Sequence, residues 1–210
     1  MIAACRQDER KGLPFRRAFP KICRGSASSF MIISFDAPCY YFTSVTHKRL
    51  PIFRTDTMKR ILVNALDEAR RSSGMLLFAY AVMLDHLHLI TDGTRKPSDC
   101  LRFINGVSAK HILDHLKQNE LTASLEKLRQ AKKRDGSQYS VWEHHSDKFL
   151  LTSESMFMQK VNYIHNNPVK DGLVERPEDH LYSSARIWRG NPLDDEPLTM
   201  DIREIRWRKR

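Results

Sequence analysis

The pair His86 and His88, separated only by Leu87, is the first feature of this sequence whose residue types and spacing favour chemistry. The pair opens the segment HLHLITD, which is expected to form a β-strand. Side chains two residues apart in a strand project to the same face, so both imidazoles are expected to point together. Two neutral imidazoles on one strand form half of a divalent-metal site. Two hydrogen-bonded histidines on a polar sheet face are the other interpretation, because short motifs often match by chance.

A second candidate lies in the stretch VNYIHNNPVKDGLV, residues 161–174, where Tyr163 precedes Asn167 by four residues. On a helix these two side chains share one face, and Gln159 lies one turn earlier. Amide oxygens are hard ligands that suit Mg²⁺ or Mn²⁺. A phenol with a pKa of about 10 attacks poorly while protonated, and a metal that polarises its target would reduce this problem. Spacing alone does not separate a reactive tyrosine from a packed one with a polar tip.

The other histidines carry weaker signals. His111 and His115 are spaced like a zinc-binding pair on a helix, but no carboxylate or cysteine pattern supports them. His144 and His145 fall outside any regular period, either in a loop or at the mouth of the site. A P-loop, G-x-G-x-x-G, G-x-S-x-G and H-E-x-x-H are all absent from the sequence. The sequence therefore carries none of these nucleotide-binding or hydrolase motifs.

The elements that must position these residues follow from hydrophobic periodicity. The pattern predicts the order β-α-β-β-α-β followed by a helix, which is an α+β, ferredoxin-like (split βαβ) fold. We expect an antiparallel sheet with helices on one face and a C-terminal helix that carries Tyr163, capped by Ser153 or Ser155. The predicted strands cover residues 39–48, 75–83, 86–92 and 148–152, and the predicted helices start near 57, 98 and 153.

Composition favours a basic, globular protein with a polyanionic partner. The chain has 35 Lys and Arg against 25 Asp and Glu, a net charge of +10 and a pI near 9.6. Such an excess favours nucleic acid first and an anionic membrane second, although many soluble proteins are equally basic without a specific partner. The longest apolar run, residues 75–84, is about half the length that a membrane-spanning helix needs. No membrane span is expected.

Three regions are expected along the chain: a disordered basic extension over residues 1–30, one domain over residues 31–190 and a basic C-terminal tail over residues 191–210. No secretory signal is recognisable, and the cysteines form no C-x-x-C pair, which favours free thiols in a reducing cytoplasm. The four cysteines are Cys5, Cys23, Cys39 and Cys100.

Two separated motifs carry a resemblance to a known family. YAVMLDHLHLI, residues 80–90, and YIHNNPVKDGLVERPEDHLYSSA, residues 163–185, resemble the HUH single-tyrosine transposases. The closest branch is that of the REP-associated tyrosine transposases, which VWEHH at residues 141–145 also resembles. The resemblance covers roughly residues 38–190 and includes both candidate sites in the family's order.

The resemblance implies a role for each matching residue. His86 and His88 would bind Mg²⁺ or Mn²⁺, and Asn167 would complete the metal site. Tyr163 would attack a phosphodiester in single-stranded DNA, leaving a 5′-phosphotyrosine and a free 3′-hydroxyl. The partner would be single-stranded or hairpin DNA of repeat elements, bound by a monomer or a homodimer in the cytoplasm, on the nucleoid.

Two positions depart from related sequences. Leu84 and Asp85 stand where relatives usually have proline and then asparagine or aspartate, which alters the stiffness of the turn and leaves the histidines in place. Asn166 follows Tyr163 by three residues, which argues against the rolling-circle initiators with Y-x-x-K.

Two other classes of protein stay open at this point. A ferredoxin-like nucleic-acid-binding module without chemistry would explain the charge and the fold, but not the two motifs together. A histidine metal site that only stabilises structure would require a closed set of four ligands. Replacing Tyr163 separates the three hypotheses, because only the transposase would lose a covalent DNA adduct.

Overall fold

The computed structural model describes residues 31–130 and 138–208. Within these residues, four strands and five α-helices follow one another in the order β1-α1-β2-β3-α2-α3-β4-α4-α5. The strands are β1 (Cys39–Val45), β2 (Leu77–Val82), β3 (His86–Asp92) and β4 (Asp147–Leu151). The helices are α1 (Asp56–Ser73), α2 (Pro97–Gln118), α3 (Thr122–Leu128), α4 (Glu154–Lys170) and α5 (Ala185–Trp188).

The sheet confirms the predicted α+β, ferredoxin-like fold. Its strand order is β2-β3-β1-β4, and each neighbouring pair is antiparallel. The central strand β1 pairs with β3 on one side and with β4 on the other, so β4 is an edge strand. This order follows from two β-α-β units that interleave in one sheet.

Alternation along the strands divides the core into two layers. On one face, Leu87 and Leu89 of β3 pack with Leu62 of α1 and with Ile104 and Ile112 of α2. Helices α1 and α2 thus cover the first face of the sheet, and α4 covers the other face. There Phe157, Val161 and Ile164 of α4 pack with Tyr41 of β1 and Ile90 of β3. The helix that carries Tyr163 therefore lies on the opposite side of the sheet from α1 and α2.

The ends of α4 determine where Tyr163 lies along the sheet. Of the two predicted caps, the structure selects Ser153, whose side chain accepts a hydrogen bond from the backbone N–H of Met156. The helix continues through Pro168 to Lys170. Proline removes only one N–H donor, and the helix closes just beyond it at Gly172, whose φ of +68° suits glycine.

The C-terminal segment packs against the domain as far as it is described. Met31 and Ile205 form a parallel bridge, and the ring of Trp207 lies 6.0 Å from that of Phe157 on α4. The buried pair Arg186 and Glu196, 2.7 Å apart, fixes the segment beside α5. The predicted domain boundaries stay predictions, and the extension over residues 1–30 lies outside the described residues.

Two further predictions concern membrane-spanning segments and the cysteines. Within the described ranges, no helix is both long and apolar enough to cross a membrane. Cys39 and Cys100 are buried free cysteines, and burial raises the pKa of each thiol. Cys5 and Cys23 lie outside the described residues.

Candidate active site

The two histidines of β3 line a cavity of about 350 Å³ that also borders β1, β4 and α4. Their ring centroids are 4.7 Å apart and their planes are nearly perpendicular. Leu87, between them, is buried in the opposite core layer. The predicted projection of His86 and His88 to one face is therefore confirmed, and Leu87 explains why it is fixed: rotating the strand would expose a core leucine.

His86 is held by the carboxylate that precedes it. Its Nδ1 lies 2.6 Å from Oδ1 of Asp85, and Oδ2 of Asp85 lies 3.1 Å from the Arg49 guanidinium. Burial alone would raise the pKa of Asp85, but the His86 hydrogen bond and Arg49 outweigh it and lower that pKa. An ionised carboxylate beside Nδ1 favours a proton on that nitrogen, which leaves Nε2 with a free lone pair.

His88 is buried more deeply, with 3% of its surface exposed. Its Nδ1 lies 2.9 Å from the Tyr41 hydroxyl and 3.1 Å from that of Thr43. Burial, followed by the positive charges of His86 and Lys160, lowers the pKa of His88 to about 3, so the ring is neutral at physiological pH. Its Nε2 is buried and has no hydrogen-bond partner in the part of the chain that the structure describes.

This pair of imidazoles fits a divalent cation. An unsatisfied buried nitrogen costs free energy unless something binds it, and a metal ion is a natural partner for a neutral imidazole. Over residues 31–130 and 138–208, no group of three or more His, Cys, Asp or Glu side chains is placed to hold a metal. The protein therefore supplies an open half-site, whose remaining ligands would be amide, water or substrate oxygens.

Two phenols line the same cavity, and their environments differ. Tyr41 is 3% exposed and hydrogen-bonded to Thr43 and His88, and burial raises its pKa to about 12. Tyr163 is 40% exposed, and its ring lies 5.6 Å from that of His88 and 6.2 Å from that of Tyr41. The exposed phenol beside the two histidines is thus the one that an incoming molecule can reach.

Sequence reasoning missed several residues of the cavity. Lys160 lies one turn before Tyr163 on α4, and its ammonium is 5.2 Å from the Tyr163 ring and 4.6 Å from the Tyr41 ring. The spacing of three residues to Tyr163 was a signal that could have identified it. Arg49, Asp147 and Phe149 also line the cavity, but they depend on the β1–β4 pairing and on a loop, which no local pattern encodes.

The remaining predicted residues lie elsewhere. Asn167 is buried one turn after Tyr163, where its side-chain nitrogen donates to the Tyr163 carbonyl, and it does not line the cavity. Its role as a metal ligand stays a prediction. His144 and His145 are exposed in a loop and do not line the cavity, and His111 pairs with Glu68 at 2.8 Å.

The turn after β1 holds basic residues in a strained conformation. Lys48 and Arg49 both have a φ of +51°, a region that favours glycine. The backbone N–H of Lys48 donates to the Glu143 carboxylate at 2.6 Å, which fixes the turn. Strain of this kind persists where the surrounding structure determines it, and it places the Arg49 side chain beside Asp85.

Comparisons with known proteins find similarity over part of the sequence and in the fold. Residues 37–132 match the family model of the IS200-like transposases. This range contains β1 to α3 and both histidines, and it ends before Tyr163. No curated protein sequence gives a significant match.

Solved structures add information on the fold. A REP-associated tyrosine transposase bound to a REP hairpin is similar to this chain, with a TM-score of 0.53 and 17% identity. The likeness covers 82% of this chain and 89% of that one. A candidate transposase from Deinococcus radiodurans R1 is a weaker match, with a TM-score of 0.41 and 21% identity over 61% of this chain and 88% of that one, too weak to support the fold. Residues 37–132 are thus similar to the IS200-like transposases, and the chain shares the fold of a REP-associated tyrosine transposase.

Proposed function

We propose that this protein is a transposase of the REP-associated type, a metal-dependent single-stranded DNA transesterase in which Tyr163 is the nucleophile. The REP hairpin bound to the similar solved structure suggests hairpin-containing repeat DNA as the substrate. Such a substrate implies a cytoplasmic, nucleoid-associated location.

One observation carries the proposal. Tyr163 comes from α4 and the histidines come from β3, far apart in the sequence, yet the Tyr163 and His88 rings lie 5.6 Å apart in one cavity. A DNA-binding module without chemistry gives no reason for an exposed phenol beside two imidazoles. A purely structural metal site would be closed by four protein ligands, and this one is open.

The reaction exchanges one phosphodiester for another. The phenol oxygen of Tyr163 forms a bond to phosphorus, and the bond from phosphorus to the 3′ oxygen breaks. The phenol loses a proton and the departing 3′ oxygen gains one, so the step is balanced. The tyrosine ester retains the energy of the broken bond, and a 3′-hydroxyl can therefore reverse the attack and join strands without ATP.

The chain's own residues bind and orient the phosphate. Lys160 and Arg49 place positive charge at the cavity, where they would attract the non-bridging phosphate oxygens. Asp85 holds the His86 ring in position, and the hydroxyls of Tyr41 and Thr43 do the same for His88. Tyr41 does not compete as a nucleophile, because burial keeps it protonated.

A bound Mg²⁺ or Mn²⁺ would act as a Lewis acid on the scissile phosphate. His86 and His88 would hold it, and we propose Asn167 as a third ligand from its position one turn after Tyr163. Asn167 would reach the ion only if its side chain turned away from its present place on the helix.

The test is covalent adduct formation. Purified protein is incubated with labelled single-stranded DNA from the flanks of its own gene, with Mg²⁺ or Mn²⁺, and run on a denaturing protein gel. We expect a labelled band that requires the metal and is absent for Tyr163→Phe and His86→Ala. Tyr40→Phe is the matched control, because Tyr40 is on the same sheet but packs against the opposite core layer.

An adduct that persists in Tyr163→Phe would contradict the assignment of the nucleophile. Tight DNA binding without any adduct, on several flanking sequences, would favour the DNA-binding module. A folded wild-type protein that unfolds when the metal is removed would favour the structural site.

A further inference from the structure

A second cavity, of about 180 Å³, lies against the same helix as the candidate active site. Helix α4 separates the two: Lys160 and Tyr163 line the first cavity, and Asn162 and Asn166 line the second. The second cavity also borders Trp188 and Arg189 at the end of α5. It is smaller than the pockets of about 300 Å³ or more that hold drug-sized ligands, so it suits a single small ring system.

The two asparagines are placed next to the nucleophile. Asn166 follows Tyr163 by three residues and Asn162 by four, so its side chain is about 5–6 Å from each of theirs at Cβ on the helix surface. Both side chains are exposed. The Asn166 side-chain nitrogen donates to the Asn162 carbonyl at 2.7 Å, which orients the amide. An amide carries a donor and an acceptor together, the arrangement that reads the edge of a nucleobase.

Trp188 provides a fixed aromatic wall. Its indole N–H donates to the Phe78 carbonyl at 2.8 Å, and its ring centroid lies 5.9 Å from that of Phe157 and 6.3 Å from that of Trp207. These contacts hold the ring in one orientation while it remains half-buried. An aromatic ring held in this way is a platform on which unpaired bases stack in single-stranded DNA complexes.

Arg189 supplies a positive charge at the same cavity. Its side chain is 62% exposed, and its Nε lies 3.2 Å from the Glu178 carboxylate. A guanidinium has five N–H donors, so an exposed donor of Arg189 can contact a phosphate oxygen while Nε keeps its ion pair with Glu178. The cavity thus combines an aromatic wall, two amides and one cation, which are complementary to the base and the phosphate of a nucleotide.

We propose that this second cavity binds one unpaired nucleobase of the DNA strand whose phosphate lies at Tyr163. The base stacks on Trp188, Asn162 and Asn166 contact its edge, and Arg189 contacts a neighbouring phosphate. The proposal rests on the proposed function, because it requires the strand to pass around α4 from the first cavity. It adds a base-specific contact close to the bond that is cut.

The experiment measures binding separately from cleavage. Fluorescence anisotropy with the full-length Tyr163→Phe protein follows its affinity for a labelled flank oligonucleotide in which each base is removed in turn. We expect one abasic position to weaken binding about tenfold, and this loss to disappear when Asn162→Ala and Asn166→Ala are added. Gln159→Ala is the matched control, because Gln159 is an exposed amide on α4 that does not line the cavity.

The outcomes separate the two proposals. If the wild type forms the adduct but no abasic position depends on the two asparagines, the base-binding cavity is wrong and the proposed function stands. If the abasic effect remains unchanged in the double asparagine variant, the base is read elsewhere. If no adduct forms, the proposed function fails, and the abasic scan still decides whether this cavity reads a base. Unfolding midpoints of the exposed asparagine variants are expected to match that of the parent protein.

Discussion

Asp85 uses both of its carboxylate oxygens, one on each side of the site. One oxygen accepts from Nδ1 of His86 and the other from Arg49, so a single side chain links a proposed metal ligand to a proposed phosphate-binding residue. A carboxylate in this position sets the orientation and basicity of the histidine. Asp85 thus acts through His86 as a positioning residue.

Asp85→Asn is expected to lower the affinity for Mn²⁺ about 10–100-fold, because the neutral amide no longer fixes the protonated Nδ1 of His86. Isothermal titration calorimetry with Mn²⁺ alone measures this directly. Asp147→Asn is the matched control, since Asp147 also lines the cavity but forms no hydrogen bond or ion pair with His86 or His88. Equal losses in both variants would show that overall negative charge, and not orientation of His86, determines the affinity.

Lys160 places its ammonium against the aromatic rings of the cavity. The Nζ atom lies 4.6 Å from the Tyr41 ring, 4.8 Å from that of Phe149 and 5.2 Å from that of Tyr163. These rings hold the cation beside the proposed nucleophile without neutralising its charge. A phosphate that approaches Tyr163 would meet a pre-positioned positive group.

Lys160→Met is expected to slow adduct formation about tenfold or more, because charge on the reacting phosphate loses a preorganised partner. Single-turnover rates at saturating DNA provide the measurement. Lys170→Met is the control, because its ammonium also lies near the Tyr163 ring, at 5.1 Å, but does not line the cavity. A similar rate loss in both variants would attribute the effect to general DNA attraction.

At the level of the elements, the close contact between the end of β3 and the start of β1 keeps the two histidines in register. Gly93 follows β3, and a Cβ atom at this position would collide with the backbone carbonyl of Pro38. Pro38 directly precedes β1, which pairs with β3 along its whole length. Only glycine allows the two backbones to approach this closely.

Gly93→Ala is expected to destabilise the protein by about 1–3 kcal/mol, because a backbone must shift to relieve the collision. Gly106→Ala is the matched control: Gly106 is exposed within α2 and has open space around it. There alanine is expected to stabilise the helix by up to about 1 kcal/mol. Urea unfolding of both variants tests the pair, and equal effects would contradict the role of Pro38.

Local patterns predicted the elements well, and non-local contacts explain what they missed. Alternation in β3 predicted the side-by-side histidines, and the order of elements predicted the sheet. The roles of Arg49 and Asp147 depend on a strained turn and on the register of β4 opposite β1, which arise only in the folded chain. Trp207 lies in a strongly basic segment that was predicted as a tail, so its contact with Phe157 was not predicted.

For the whole molecule, several buried histidines make stability depend on pH. Burial lowers the pKa of His88 to about 3 and that of His165 to about 4, and it also lowers the pKa of His180. These rings are neutral in the folded protein, whereas in the unfolded chain they bind protons near the ordinary value of 6.5. Their contribution to stability is therefore complete above pH 6.5 and decreases as the pH falls.

In the absence of divalent metal, the free energy of unfolding is expected to decrease between pH 6.5 and 4. His165 alone contributes up to about 3 kcal/mol to this decrease. His165→Gln retains a side-chain partner for the Ser184 hydroxyl, 2.8 Å from Nε2 in the native protein, and removes the titration. Urea unfolding at a series of pH values measures the slope, and an unchanged slope in the variant would contradict this assignment.

The parallel bridge between Met31 and Ile205 has a topological consequence. The N–H of Met31 donates to the Glu204 carbonyl at 2.7 Å, and the N–H of Arg206 donates to the Met31 carbonyl at 2.9 Å. The two ends of the described fold therefore lie side by side, so the described chain finishes next to the point where it starts. A circular permutant that joins these ends and opens at an exposed turn would keep all three strand pairings. For the same reason, a reporter protein fused to either end of the described fold would be attached at the same place on the molecule.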